Sequence, residues 1–236
     1  MWQKRSCLSI ICVGFFCLVA FAVIYPGYRN AKTEIVQEVM ATKGMMIVNS
    51  LIEHKNTNKC LKVCLLIDKN GRRLSFQNST QFFSVLAKMS RDKPSSEKFD
   101  NSWVTLNEVS PDMKTKDGCV AEKYVMWSIA GNLPNCIPTN LPILLTRNID
   151  VSSLACEVSK EDMKKKIKLD RRYTTGYENE FACVVYADGY VKTYNLKKRR
   201  EITYYSIYRG MILNCGHDNV RYLTPTEEVA LEREAE

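Results

Sequence analysis

Between Arg5 and Arg29 the chain carries no charged residue, and Cys7–Tyr25 (CLSIICVGFFCLVAFAVIY) is apolar apart from Ser9 and Gly14. At about 1.5 Å rise per residue, about 20 such residues reach across a hydrocarbon core of roughly 30 Å. Residues 6–25 are therefore expected to form one membrane crossing. Lys4 and Arg5 stand just before it, and the positive-inside bias places a basic tip, residues 1–5, in the cytoplasm and the remainder on the far side.

The helical pattern does not end with the crossing. Pro26 falls where a proline kinks a membrane helix, not where a soluble domain begins. Beyond it Val36, Met40, Gly44, Ile47 and Leu51 recur at spacings of four, four, three and four, with Ile35, Val39 and Met46 beside them. That stripe predicts an amphipathic helix over residues 26–53. Lys32, Glu34, Gln37, Glu38, Lys43 and Asn49 supply its polar face, and His54–Asn58 closes the pattern with polar turn formers. Periodicity alone leaves two readings open, one continuous helix or an anchor followed by an unrelated one.

The order of basic tip, apolar run, Tyr25-Pro26-Gly27-Tyr28 and amphipathic stripe resembles the N-terminal helix of type IV pilins and of the pseudopilins of type II secretion systems. The likeness is strongest over residues 4–53 and extends more loosely to Asn78–Met89, Leu141–Asp150 and Ala182–Tyr194. It implies an α+β fold, with a long N-terminal helix packed on an antiparallel β-sheet head, the head occupying residues 54–223 before an acidic tail at 224–236. It also implies a structural subunit, single-pass in the inner membrane with its head periplasmic or extracellular. Its partners would be the lipid bilayer and other pilin-like subunits or secretion-system inner-membrane components. Ile10, Phe15, Leu18, Pro26, Val36, Met40 and Ile47 would then serve membrane anchoring and helix packing. In that family a peptidase cuts after a glycine preceding the apolar run, and a glutamate follows within it. Aligned on Pro26, those positions hold Lys4 and Ser9, so the resemblance covers the architecture and not the residues of the assembly chemistry.

A formal charge of +8 invites a polyanion partner. The surplus is concentrated in Lys164–Lys168 with Arg171-Arg172 and in Lys197–Arg200, short runs of the kind that coat solvated faces. No zinc finger, RNA-recognition signature or basic zipper accompanies them, so no nucleic-acid partner is expected.

Of ten cysteines, Cys7, Cys12 and Cys17 lie in the apolar run, where cysteine acts as a small hydrophobe. Cys60, Cys64, Cys119, Cys136, Cys156, Cys183 and Cys215 lie in the head, where an oxidising compartment permits disulfides; their odd number leaves at least one unpaired. Cys60 and Cys64, with His54 as the nearest imidazole, lack the paired spacing of a zinc ribbon, so no metal is expected. Cys215-Gly216-His217-Asp218 gathers a thiol, an imidazole and a carboxylate, but a catalytic cysteine and histidine normally meet through the fold and not within one turn. No GxSxG, Walker loop, GxGxxG or HExxH is present. The expectation is a non-enzyme without a cofactor.

Local signals mark the head's elements. Cys60–Asp68, Lys69-Asn70-Gly71 and Arg72–Phe76 predict a hairpin, as do Phe181–Tyr186, Ala187-Asp188-Gly189 and Tyr190–Leu196. Asn78 and Gln81 predict a capped helix start. Strands are expected at Trp103–Leu106, Tyr124–Ile129 and Leu141–Leu145, and a strand or strand pair over Ile202–Leu213, broken by Gly210. Arg147 suits a carboxylate or phosphate, and more readily a salt bridge or carbonyls. Ser159-Lys160-Glu161-Asp162 predicts the start of a basic surface helix, and Thr224-Pro225-Thr226-Glu227 another helix start. A different class also fits: Lys4-Arg5, the apolar run and Ala20-Phe21-Ala22 satisfy a cleavable secretory signal, which would release a secreted binding module.

Overall fold

The computed structural model describes residues 2–57, 60–63, 74–90, 99–106, 110–115, 119–131, 133, 136–154, 157–170, 180–197, 201–211, 213–214, 220 and 222–225. Side chains are described from Cys17 on, apart from positions 20, 52–57, 60–63, 112, 136, 157 and 213–214. The chain divides into two compact units, residues 1–38 and 39–236.

Helix α1 spans Trp2–Leu51 without interruption and contains Pro26. Continuity was one of the two readings the periodicity left open. In the first unit Leu18, Phe21, Val23, Ile24, Tyr25 and Tyr28 are exposed, and Phe21 stacks on Tyr25 one turn on, ring centres 5.0 Å apart. Among the described residues no helix is long and apolar enough to cross a membrane. The described side chains of α1 begin at Cys17, so the first half of the apolar run lies outside that statement.

In the second unit the strands are β1 Ile52–Thr57, β2 Cys60–Val63, β3 Trp127–Ala130, β4 Cys136–Pro138, β5 Pro142–Thr146, β6 Glu157–Val158, β7 Lys166–Ile167, β8 Phe181–Tyr186, β9 Val191–Asn195, β10 Ile202–Thr203, β11 Leu213–Asn214 and β12 Tyr222–Leu223. Two further helices are α2, Ser79–Met89, and the single turn α3, Tyr204–Ile207. The main sheet is five-stranded in the order β12-β3-β5-β8-β9, with every neighbouring pair antiparallel. A three-stranded sheet runs β1-β2-β4, and β10 with β7 and β11 with β6 form two short ribbons.

Every residue of β3, β5 and β8 is buried. Such continuous apolar runs belong to strands covered on both faces. The register sets Ile129 and Val185 opposite Leu144, and Ser128 and Val184 opposite Leu145, so the two sets occupy opposite faces. The first face receives α1 at Gly44, which lies against Val185 and Trp127. Tyr186, on the second face with Val184, donates its hydroxyl to the Ile207 carbonyl of α3 at 2.6 Å. The head is thus an α+β layer structure, with the last turns of α1 packed on an antiparallel sheet. Pro142 opens β5, where a missing N–H is tolerated, and the register slips by one residue immediately after it.

Several local signals are realised. Asn78 caps α2 by accepting from Gln81 N at 2.8 Å, while Gln81 Oε1 takes the Gln77 N–H at 3.1 Å. The β8–β9 hairpin turns at Gly189, whose φ of +77° is the left-handed position such a turn requires.

Others differ. Ile52–Thr57 is a strand paired with β2, not a polar turn: Ile52 faces Val63 and Glu53 faces Lys62. Trp103–Leu106 is not a strand, because Asp100 accepts from Ser102 N at 2.8 Å and folds Asn101–Val104 into a 3-10 turn. The strand expected at Tyr124–Ile129 begins only at Trp127, since a 3-10 turn occupies Glu122–Tyr124. The basic surface helix is one 3-10 turn, Glu161–Lys164. Ser159 and Asp162 do form the reciprocal cap, at 2.9 Å and 3.3 Å, and the Lys165 amine, followed by the Ser159 donors, holds the Asp162 carboxyl well below its ordinary range. Ile167 is then drawn into β7 opposite Ile202. Within Ile202–Leu213 the chain turns into α3, because Thr203 Oγ1 accepts from Ser206 N and Tyr204, Ile207 and Tyr208 are buried at helical spacing. The turn expected at Asn70-Gly71 lies outside the described residues, but Cys60–Val63 pairs with β1 and β4 and residues 74–76 form no strand. Of the helix start expected at Thr224-Pro225-Thr226-Glu227, Thr224 and Pro225 are described and are not helical.

Candidate functional site

The strongest structural constraint in the head is the seam between α1 and the sheet. A Cβ on Gly44 would lie 2.6 Å from Val185 Cγ2 and 2.9 Å from Trp127 Cη2. Glycine in a helix interior costs about 1 kcal/mol relative to alanine, and here it permits close approach of helix and sheet. Met40, Ile47 and Val48 are fully buried on the same part of α1. One residue before Gly44, Lys43 donates its amine to the Thr105 carbonyl at 2.9 Å and the Leu106 carbonyl at 3.3 Å. Trp127 donates its indole N–H to the Trp103 carbonyl at 2.9 Å. Helix, β3 and the segment 101–106 therefore fix one another. From Trp103 an aromatic line continues through Phe99 and Phe83 to Phe82, with centres 5.3 to 6.1 Å apart. Lys43→Met is expected to lose about 1–2 kcal/mol by orphaning those carbonyls, read as a lower urea midpoint at unchanged slope.

Ile10 and Phe15 lie in α1 without described side chains. Leu18 is 70% exposed, Pro26 is exposed and Val36 half-buried. Met40 and Ile47 are both wholly buried within the chain's own head, on the part of α1 that the α+β plan sets against the sheet. The apolar side chains that α1 leaves exposed in this unit are Val39, Met45 and Met46. Periodicity identifies an apolar face and not what covers it.

Cys119 and Cys183 are buried free thiols. Cys183 faces Thr193 across β8 and β9, and its N–H donates to Thr146 Oγ1 at 3.0 Å, so no cysteine stands opposite it. Burial pushes its thiol up to about 12, which suppresses the nucleophilic thiolate. The backbone register puts Cys60 opposite Pro138 and Cys136 opposite Lys62. Cys64, Cys156, Cys215, His217 and Asp218 lie outside the described residues. Among the described residues no three histidine, cysteine or acidic side chains are grouped to hold a metal. Arg147 donates to the carbonyls of Lys123 at 2.8 Å and Val125 at 3.1 Å, the carbonyl-bridging role open to it.

The raised Cys183 pKa carries a stability sign. Above its ordinary value near 9 the thiol ionises in the unfolded chain but stays protonated in the fold, so the unfolded state binds fewer protons there and stability falls with rising pH. Loss should begin near pH 9 and level off near 12. Burial also raises the Tyr186 phenol. Urea midpoints at pH 8 and pH 10.5 test this, and Cys183→Ala should flatten the slope between them.

A second arrangement, not anticipated from sequence, joins the β8–β9 hairpin to α3. Lys192 Nζ and Tyr194 OH both donate to the Ser206 carbonyl, at 2.8 and 3.0 Å. With the Tyr186 hydroxyl on Ile207 they satisfy carbonyls that the end of a short helix leaves open. Desolvation, then the Arg209 charge, lowers the Lys192 pKa. Asp188 pairs with Arg209 and accepts from Tyr190 N at 3.0 Å. The guanidinium lies over the rings of Tyr190 and Tyr186, at 4.6 and 5.3 Å. Arg209 holds a left-handed φ of +58°, an unusual conformation for a side-chain-bearing residue that these contacts sustain. The amine and phenols are committed to backbone carbonyls, so the arrangement clamps rather than reacts. The signal was masked because aromatic residues at 204–208 read as strand. Tyr186→Phe is expected to lose about 1–3 kcal/mol by leaving the buried Ile207 carbonyl unpaired, measured by chemical denaturation.

No protein-family model, curated protein or solved structure matches this chain.

Proposed function

We propose that the chain is a membrane-anchored structural subunit of pilin-like or pseudopilin-like type, belonging to a type II secretion or type IV pilus-related system. The observation that carries this reading is helix α1, which runs unbroken from Trp2 to Leu51 through Pro26 and supplies core residues to an antiparallel-sheet head. The apolar run serves as the anchor in the inner membrane, the head lies on the periplasmic or extracellular side, and the work is mechanical. Bilayer and neighbouring subunits are the partners. Lateral packing in the head unit then falls to Val39, Met45 and Met46, because Met40, Gly44 and Ile47 are engaged with the chain's own sheet. The reading calls for no catalytic group and no cofactor.

The test is the intact mass and N-terminus of the protein recovered from membranes, before and after thiol alkylation. A start at or next to Met1 in the membrane fraction is the expected result. A start at Val23 in the soluble fraction would overturn it in favour of a secreted module whose signal ends at Ala22. A cut near Lys4–Ser6 bearing an N-methyl group would support the subunit reading and extend it, since maturation would then proceed without the glycine and glutamate.

A further inference from the structure

Strand β9 is the outer strand of the five-stranded sheet. Two hydrogen bonds fix which way its backbone points. Tyr186 N donates to Tyr190 O at 2.9 Å and Leu196 N donates to Glu180 O at 2.8 Å. Bonded pairs alternate along an antiparallel ladder, so Lys192 and Tyr194 direct their N–H and C=O groups at β8. Val191 and Thr193 direct theirs outward, and among the described residues nothing meets them. Thr193 is exposed and Val191 half-buried.

Open edges are normally blunted by proline, by a bulge or by several charges. β9 (VKTYN) has no proline, keeps five successive pairs with β8 in unbroken register, and carries one charge.

We infer that β9 pairs antiparallel with β9 of a second copy about a two-fold axis at Thr193, joining two five-stranded sheets edge to edge. The strand is self-complementary in that register. Thr193 exchanges both backbone bonds with its copy, and Val191 faces Asn195. Lys192 faces Tyr194 of the copy, so lysine never opposes lysine. Lys192 and Tyr194 keep their bonds to the Ser206 carbonyl of their own copy, so the junction is carried by backbone bonds and not by that pair. A register shifted by two residues toward the N-terminus would centre on Val191 and leave Thr193 without its mate. The inference needs only the β9 edge and holds whether or not the membrane reading does.

The test uses the full chain in detergent, with sedimentation velocity and amide hydrogen exchange across protein concentration. The amide of Thr193 should slow as concentration rises, while those of Lys192 and Tyr194, already bonded to β8, should not change. Thr193→Pro removes the outward donor and leaves the bonds to β8, and should weaken association roughly 10- to 100-fold. Should that variant misfold, Thr193→Lys keeps the strand and sets two like charges opposite each other, with an expected loss of about 2- to 5-fold at low salt. Concentration-independent exchange at Thr193 would overturn the inference, whether the chain is monomeric, associates through α1 or offers this edge to a different protein. So would wild-type association of Thr193→Lys.

Discussion

Gly44→Val is expected to destabilise the head by about 2–4 kcal/mol, and Gly44→Ala by about 1–2 kcal/mol, although both substitutions raise helix propensity. The sign follows from space. A Cβ at position 44 would meet Val185 at 2.6 Å and the Trp127 ring at 2.9 Å, and both neighbours are completely buried. Neither can swing into solvent. Helix and sheet must separate, which loses dispersion contacts along the whole seam. Gly27 in the same helix provides the control, because a Cβ there would meet nothing within 4 Å. Gly27→Ala should be neutral or stabilise by up to about 1 kcal/mol. Urea midpoints at constant slope measure both. A Gly44→Ala protein more stable than the parent would refute the seam.

Ile47→Asp should unfold the head, and Met46→Asp should leave it within about 0.5 kcal/mol of the parent, although the two positions are adjacent. Ile47 is wholly buried, while Met46 is 42% exposed. At position 47 the loss of an apolar side chain, about 2–5 kcal/mol, is joined by the cost of a carboxylate without a partner. Together these rival the whole stability of an ordinary domain. Circular dichroism and denaturation midpoints separate the outcomes. The pair also tests the function. If helices associate laterally, Met46→Asp and Val39→Asp should weaken association while the head remains folded. An Ile47→Asp protein that keeps a native head yet loses association would show that this face meets other subunits after all.

What sequence alone determined about this protein is what short-range chemistry controls. The helical stripe from Val36 to Leu51 follows from apolar spacing sustained over several turns, although its continuity through Pro26 does not. The β8–β9 hairpin follows from two β-forming runs around Asp188-Gly189, and the start of α2 from Asn78 and Gln81 bonding within one turn. Each is specified by residues a few positions apart, so no distant partner can easily overrule it. Tertiary structure decided the rest. Met40 and Ile47 are apolar on any reading, but only the sheet approaching at Gly44 determines that they face inward and leave Val39 and Met46 outside. Trp103, Tyr204 and Tyr208 have strand-forming side chains, yet Asp100 and Thr203 bend their segments into turns, and burial against neighbours remote in sequence rewards the bent form. Ile167 leaves its basic run because Ile202, far along the chain, pairs with it. The clamp at Lys192, Tyr194 and Arg209 is assembled across 12 to 21 residues of sequence from groups that carry no local motif. Side-chain pattern reports which surfaces are apolar, and only packing between distant segments selects what each surface meets.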